Sequence, residues 1–111
     1  MEGRAVSTAT DGRRREYKVR DDMVERGWLL VARSAGSKGA ADLVMVHPDY
    51  GLALVQVGPG GKSLGPDDRE RLCDMAEMCS ALPILARVVA RHGIEYHRVG
   101  RSLLAWERWS P

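Results

Sequence analysis

Helix-like segments that alternate with short apolar runs predict an α/β fold for this chain, with a mixed sheet flanked by helices. Two stretches, opening near Asp11 and at Pro66, carry apolar residues at helical spacing. Five runs rich in Val, Leu and Ile are short enough for strands and are bounded by Gly, Pro or Asp. Their order reads αβββαββ, and 111 residues give room for one such domain with a modest core.

Residues 1–10 read as a loose polar tail ahead of a single domain over residues 11–111. Asp11 is placed to cap a helix running to about Arg26, where Gly27 supplies a stop. Tyr17, Val24 and Trp28 share one face of that segment, with Glu16 and Arg20 on a neighbouring face. A strand follows over residues 28–33, then a small-residue loop over 34–39. Two further strands, about 42–47 and 52–57, turn at Pro48-Asp49-Tyr50-Gly51.

Residues 58–65 form a glycine-rich loop. Pro66 suits the first turn of a second helix, and Asp67 and Asp68 favour its positive end. Leu72, Met75, Ala76 and Cys79 recur at i, i+3, i+4 and i+7, the spacing of a core stripe. Residues 82–89 read as a fourth strand and 94–99 as a short fifth. The closing segment, residues 103–109, is short and amphipathic. Its Trp106 and Trp109 are expected as core anchors or a dimer contact, not as platforms for bases.

Composition removes several classes. Hydrophobic residues at 44% and charged residues at 29% describe a globular chain, not a disordered one. No apolar run approaches the roughly 20 residues of a membrane helix, and the polar N-terminus lacks an apolar signal core. Cys73 and Cys79, six apart on one predicted helix, cannot face each other, so a reducing cytoplasm is expected. The net charge of +2 hides a separation. Arg13, Arg14, Arg15, Lys18, Arg20, Arg26, Arg33 and Lys38 crowd the first third. Arg87, Arg91, Arg98, Arg101 and Arg108, with His92 and His97, dominate the last quarter, and acids gather between Asp67 and Glu77. That pattern can present a basic face to a polyanion.

Three familiar chemistries fail on spacing. Gly61-Lys62-Ser63 resembles the end of a phosphate-binding loop, but the residue five before Gly61 is Gln56 where the motif needs glycine. Cys73, Cys79, His92 and His97 lack the paired short spacings of a zinc site, and Cys79 reads as core. Gly36-Ser37-Lys38-Gly39 is one residue short of a nucleophile elbow and precedes a strand instead of a helix.

One constellation remains. Glu16 lies on the first helix, Asp42 heads a strand, and Gln56-Val57-Gly58 ends the strand that would pair with it. Hairpin pairing brings the start of one strand beside the end of its partner, so Asp42 and Gln56 are expected to meet. Arg15-Glu16, Arg33, Ser34-Ala35-Gly36-Ser37 and Ala41-Asp42-Leu43-Val44 follow in order over about residues 12 to 99. This set resembles the PD-(D/E)xK nuclease superfamily, most closely the archaeal-type Holliday junction resolvases, which also occur in phages.

The resemblance implies a restriction-endonuclease-like αβββαβ core and a structure-specific, metal-dependent DNA endonuclease. It implies a homodimer acting on branched or double-stranded DNA in the cytoplasm of a bacterial, archaeal or phage-infected cell. Mg²⁺ or Mn²⁺ would be held by Glu16, Asp42, Gln56 and Val57, and Arg13, Arg14, Arg15, Arg33, Ser37 and Lys38 would meet DNA. Arg33 can clamp a phosphate or pair with an acid at the sheet edge, and Ser37 can donate to phosphate or cap its loop.

The chain departs from the family at its last motif, where Glu-x-Lys is expected and Gln56-Val57-Gly58 stands. Gln56 keeps a carbonyl oxygen but no charge, and Gly58 has no ammonium at all. Lys62, just downstream, or Lys38, just upstream of Asp42, can bring an ammonium back, with Glu16 supplying a second carboxylate. On that reading Glu16, Asp42, Gln56 and Lys62 are the catalytic set, and the double change Gln56→Glu with Gly58→Lys is expected to rebuild the motif. The alternative is a catalytically inactive nuclease fold serving as a DNA-binding or assembly module.

Overall fold

The structure, a computed structural model, describes residues 8–33, 41–102 and 106–111, and the side chains of residues 8–10 lie outside the description. Helix α1 (Thr8–Glu25) leads into β1 (Leu29–Arg33), β2 (Leu43–His47) and β3 (Gly51–Pro59). Helix α2 (Pro66–Met78) follows, then β4 (Leu82–Val89), β5 (Gly93–Arg98) and β6 (Glu107–Trp109). The six strands form one sheet in chain order. Strands β1 to β3 and β4 to β6 are two antiparallel meanders, and they join side by side through the parallel pair β3–β4. A parallel pair needs a crossover, which α2 provides.

The sheet is thus mixed and flanked by helices, as expected, with one more strand than the sequence reading supplied. Strand β6 has only three residues, too few for a periodic signal. It is held by antiparallel pairing of Tyr96 with Trp109 and His97 with Arg108. The first helix starts at Thr8, inside the expected tail, and Asp11 lies in its first turn instead of capping it. An acid is favourable to the helix dipole at either place, so its presence alone does not fix the boundary.

Each face of the sheet has its own core. Val19 and Met23 of α1 pack with Trp28, Leu43, Met45, Val55, Ile84 and Tyr96. Leu72, Cys73 and Ala76 of α2 pack with Leu54, Leu64, Leu85 and Val99 on the other face. The expected apolar faces are met in part: Trp28, Leu72 and Ala76 are buried as expected, and the others are not. Tyr17 and Val24 are exposed, as are Met75 and Cys79, while Cys73 is buried. In α1 the long basic side chains can snorkel beside Val19 and Met23, so charge did not mark the outer face. In α2 the small Cys73 and Ala76 allow close approach to the sheet, and the bulkier Met75 turns outward. The two thiols remain free.

Gly27 ends α1 as expected. With φ of +99° it lets the Gly27 N–H reach Val24 O at 3.1 Å and the Trp28 N–H reach Met23 O at 3.0 Å, the paired bonds of a Schellman stop. Trp28 is thereby delivered into the core, stacked on Tyr50 and edge-on to Trp109. Trp109 also meets Tyr96 edge-on, and the half-buried Trp106 donates from Nε1 to Gly100 O at 3.2 Å. The two C-terminal tryptophans are therefore anchors of this fold; Leu103 and Leu104 lie outside the described residues.

The Tyr96 hydroxyl donates to Asp22 Oδ2 at 2.7 Å and ties α1 to β5. Burial, reinforced by the bond to Asp22, pushes the phenol well above its usual range. Tyr96→Phe removes a bond to a charged acceptor while Asp22 keeps Arg26 within 3.4 Å. It is expected to cost about 1–2 kcal/mol, read as a lower denaturant midpoint at unchanged slope. A wild-type midpoint would show that the hydroxyl contributes nothing.

Candidate active site

Strands β2 and β3 diverge where Asp42 stands. The Asp42 N–H donates to Val55 O at 2.9 Å, continuing the ladder. The next ladder position is taken by a side chain, because the Val57 N–H donates to Asp42 Oδ2 at 2.8 Å. Continuing the Leu43–Val55 register places Asp42 opposite Gln56, so the expected meeting of these two positions is present in the backbone. Val57 enters it through its N–H. Burial raises the Asp42 carboxyl above its ordinary value, and the Val57 N–H and then the nearby Lys62 ammonium oppose that rise.

Lys62 reaches the site through a tight turn. Its N–H donates to Pro59 O at 2.9 Å, folding the chain back over the end of β3. Its own carbonyl accepts Arg87 Nε at 2.7 Å, which fixes the turn to β4. The Lys62 stem then lies across Gly58, where a Cβ would sit 2.6 Å from Lys62 Cβ and 2.9 Å from its Cδ. Only glycine leaves that space. The expected Gln56→Glu with Gly58→Lys change meets this contact: a Cβ at position 58 requires the Lys62 side chain to shift.

Glu16 is paired with Arg33, the β1 residue in register with Leu43 beside Asp42. Its Oε1 accepts Arg33 Nε at 3.0 Å, so of the two roles open to Arg33 the structure contains the ion pair with an acid. Arg33 and Arg20 also lie over the Tyr17 ring, at 5.5 and 4.7 Å from its centroid. Among the described residues no three His, Cys, Asp or Glu side chains converge as a metal site. Arg13 and Arg14 are exposed on α1 and Arg15 is half-buried. Ser37 and Lys38 lie outside the described residues.

Three side chains on this face were not singled out as site residues in the sequence. Arg87 locks the Lys62 turn, and His97 and Arg108 stand on neighbouring strands. The sequence signal was present as basic residues in the last quarter, but their common face depends on the parallel register that sets Gly58 opposite Arg87. Burial first, then the charges of Arg87 and Arg108, hold the His97 imidazole below its usual value, with Glu95 opposing.

The fold is an α/β sandwich with a mixed six-stranded sheet flanked by two helices. No protein-family model matches the chain, and no curated protein sequence matches it. Its structure is similar to that of Hjc, a Holliday junction resolvase from the archaeal hyperthermophile Archaeoglobus fulgidus, with a TM-score of 0.65. The two are 19% identical, over 78% of this chain and 76% of the other. At that identity the likeness is one of fold.

Proposed function

We propose that this chain is a metal-dependent endonuclease that cuts branched or double-stranded DNA in the manner of a Holliday junction resolvase. One observation carries the reading: Asp42 and Lys62 converge on the end of β3, with the lysine stem lying over Gly58. On this reading Lys62 provides the ammonium that the resembled motif carries at the Gly58 position, from a different position in the chain.

The donor set fits a hard cation that retains water. Mg²⁺ is commonly held by one or two carboxylates plus substrate phosphate, and Asp42, with the Gln56 and Val57 carbonyl oxygens, offers such a set. A desolvated carboxylate with a raised proton affinity gains from a neighbouring cation. The ion would polarise the phosphate and lower the pKa of a water. The Lys62 ammonium would stabilise charge developing on the phosphate oxygens, and the Arg87 bond to the Lys62 carbonyl anchors the turn that carries it. Cutting two strands of a junction symmetrically takes two sites, so the proposal includes a homodimer.

The Arg33–Glu16 pair, and the absence among the described residues of a cluster of three ligating side chains, favour a second reading, a DNA-binding module without cleavage. A labelled four-way junction incubated with the protein and Mg²⁺ or Mn²⁺ separates the two. Paired cuts that EDTA abolishes are the expected result. A shifted but intact junction under every metal tried would establish the second reading.

A further inference from the structure

Beyond the Asp42–Lys62 corner, the α2 face of the sheet carries a line of basic side chains. Gln56, Leu85, His97 and Arg108 are register partners across β3, β4, β5 and β6, and so point to one face. That face is set by Leu85, which packs into the α2-side core. Gly58, Arg87 and Glu95 form the next row, with Lys62 over its first member. Three strand gaps separate Gln56 from Arg108, roughly 14 Å at about 4.8 Å per gap.

We propose that Arg87, His97 and Arg108 form a phosphate-binding track that holds a DNA strand as it runs from the Asp42–Lys62 corner across β4 to β6. The proposal rests on the nuclease reading and adds the path of its substrate. At about 3.4 Å of helix axis per phosphate along one strand, a 14 Å track spans roughly four nucleotides. The charges facing it are Lys62 from the loop before α2, Arg87 from β4, Arg108 from β6 and the opposing Glu95 of β5, so positive charge prevails. Other basic residues nearby are otherwise engaged or face away. Arg101 is bound by Glu70, Asp74 and Glu77 of α2, and Arg98 alternates to the α1 face.

His97 supports the same reading. Its Nδ1 is buried without a hydrogen-bond partner, an uncompensated cost carried at this point of the sheet. The charges of Arg87 and Arg108 also disfavour the protonated form of the imidazole. A phosphate seated against Arg87 and Arg108 offsets the guanidinium charge and so relieves their effect on the imidazole.

The test is the salt dependence of binding to an uncleavable phosphorothioate junction, measured by fluorescence anisotropy on the full chain. Each phosphate contact contributes about 0.9 to the slope of log K against log salt. Arg108→Gln is expected to lower that slope by about 0.9, and Arg87→Gln with Arg108→Gln by about 1.8. Arg108→Lys is expected to restore it. Arg98→Gln, on the opposite face, is expected to leave the slope unchanged, which controls for net charge. An unchanged slope in both the single and double variants, with wild-type cleavage intact, overturns the track and leaves the nuclease reading standing. An equal loss in Arg98→Gln also overturns the track, because bulk charge then accounts for the effect. A wild-type chain that neither binds nor cuts the junction overturns both.

Discussion

Asp42→Asn is expected to abolish metal-dependent cleavage and, at neutral pH, to make the protein more stable than the wild type. The first effect follows from removing the Asp42 carboxylate at the corner of β2 and β3. Loss of a preorganised charged group commonly costs about 10²–10³ in rate, and among the described residues no cluster of three His, Cys, Asp or Glu side chains stands ready to replace it. The second effect follows from the direction of the pKa shift. Burial raises the Asp42 carboxyl in the folded chain, so the folded state retains a proton in a range where the unfolded chain has lost it. Stability is therefore greatest below the unfolded value of about 4 and declines as pH rises through the folded value. Above that range the wild type carries a desolvated charge that Asn lacks, while the Asn carbonyl oxygen can still accept the Val57 N–H.

Thermal melts with and without Mn²⁺ read this directly. The variant should melt higher than wild type at pH 7, with the gap closing toward pH 3. Mn²⁺ should raise the melting temperature of the wild type and leave Asp42→Asn unmoved, since binding to the folded state alone stabilises it by mass action. DNA affinity should stay near wild type. A variant that melts lower at pH 7 and shifts equally with Mn²⁺ would remove Asp42 from any metal site.

The sequence disclosed the fold through features that depend on neighbours in the chain. Leu82–Val89 is recognisable as a strand because it is a continuous apolar run between breakers, and Gly27 because a helix stop needs φ above zero. What stayed hidden depends on register or on rotation of a helix about its axis. Val19 and Met23, rather than Tyr17 and Val24, face the sheet, yet both pairs keep helical spacing. Asp42 was legible because hairpin pairing fixes where its partner lies. The convergence of Lys62 on Gly58 was open as one of two choices, since nothing local specifies where a glycine-rich loop returns. Arg87 and Arg108 were visible only as charge, because the parallel β3–β4 register joins residues separated by a whole helix. The Glu16–Arg33 bond spans 17 positions, and each partner read separately had its own role to play.

A lysine exchange gives the sharpest test of the site. If the Lys62 ammonium occupies the place of the motif lysine, Lys62→Ala should lower cleavage by about 10²–10³-fold with little change in junction affinity. Gly58→Lys alone should fail differently: its Cβ would lie 2.6 Å from the Lys62 Cβ, forcing the Pro59–Lys62 turn open and loosening the Arg87 bond to the Lys62 carbonyl. Combining Gly58→Lys with Lys62→Gly removes the obstructing stem and supplies an ammonium from β3 itself. The exchange should recover most of the activity lost in Lys62→Ala, and adding Gln56→Glu to it should raise metal affinity by placing a second negative charge at the ion. The control is Gly58→Met with Lys62→Gly, which fills the same space without charge and should remain inactive. Rescue by lysine and not by methionine assigns the role to the ammonium. Equal activity in both exchanges would reduce Lys62 to a packing residue, and no loss in Lys62→Ala would move the missing charge to another part of the chain.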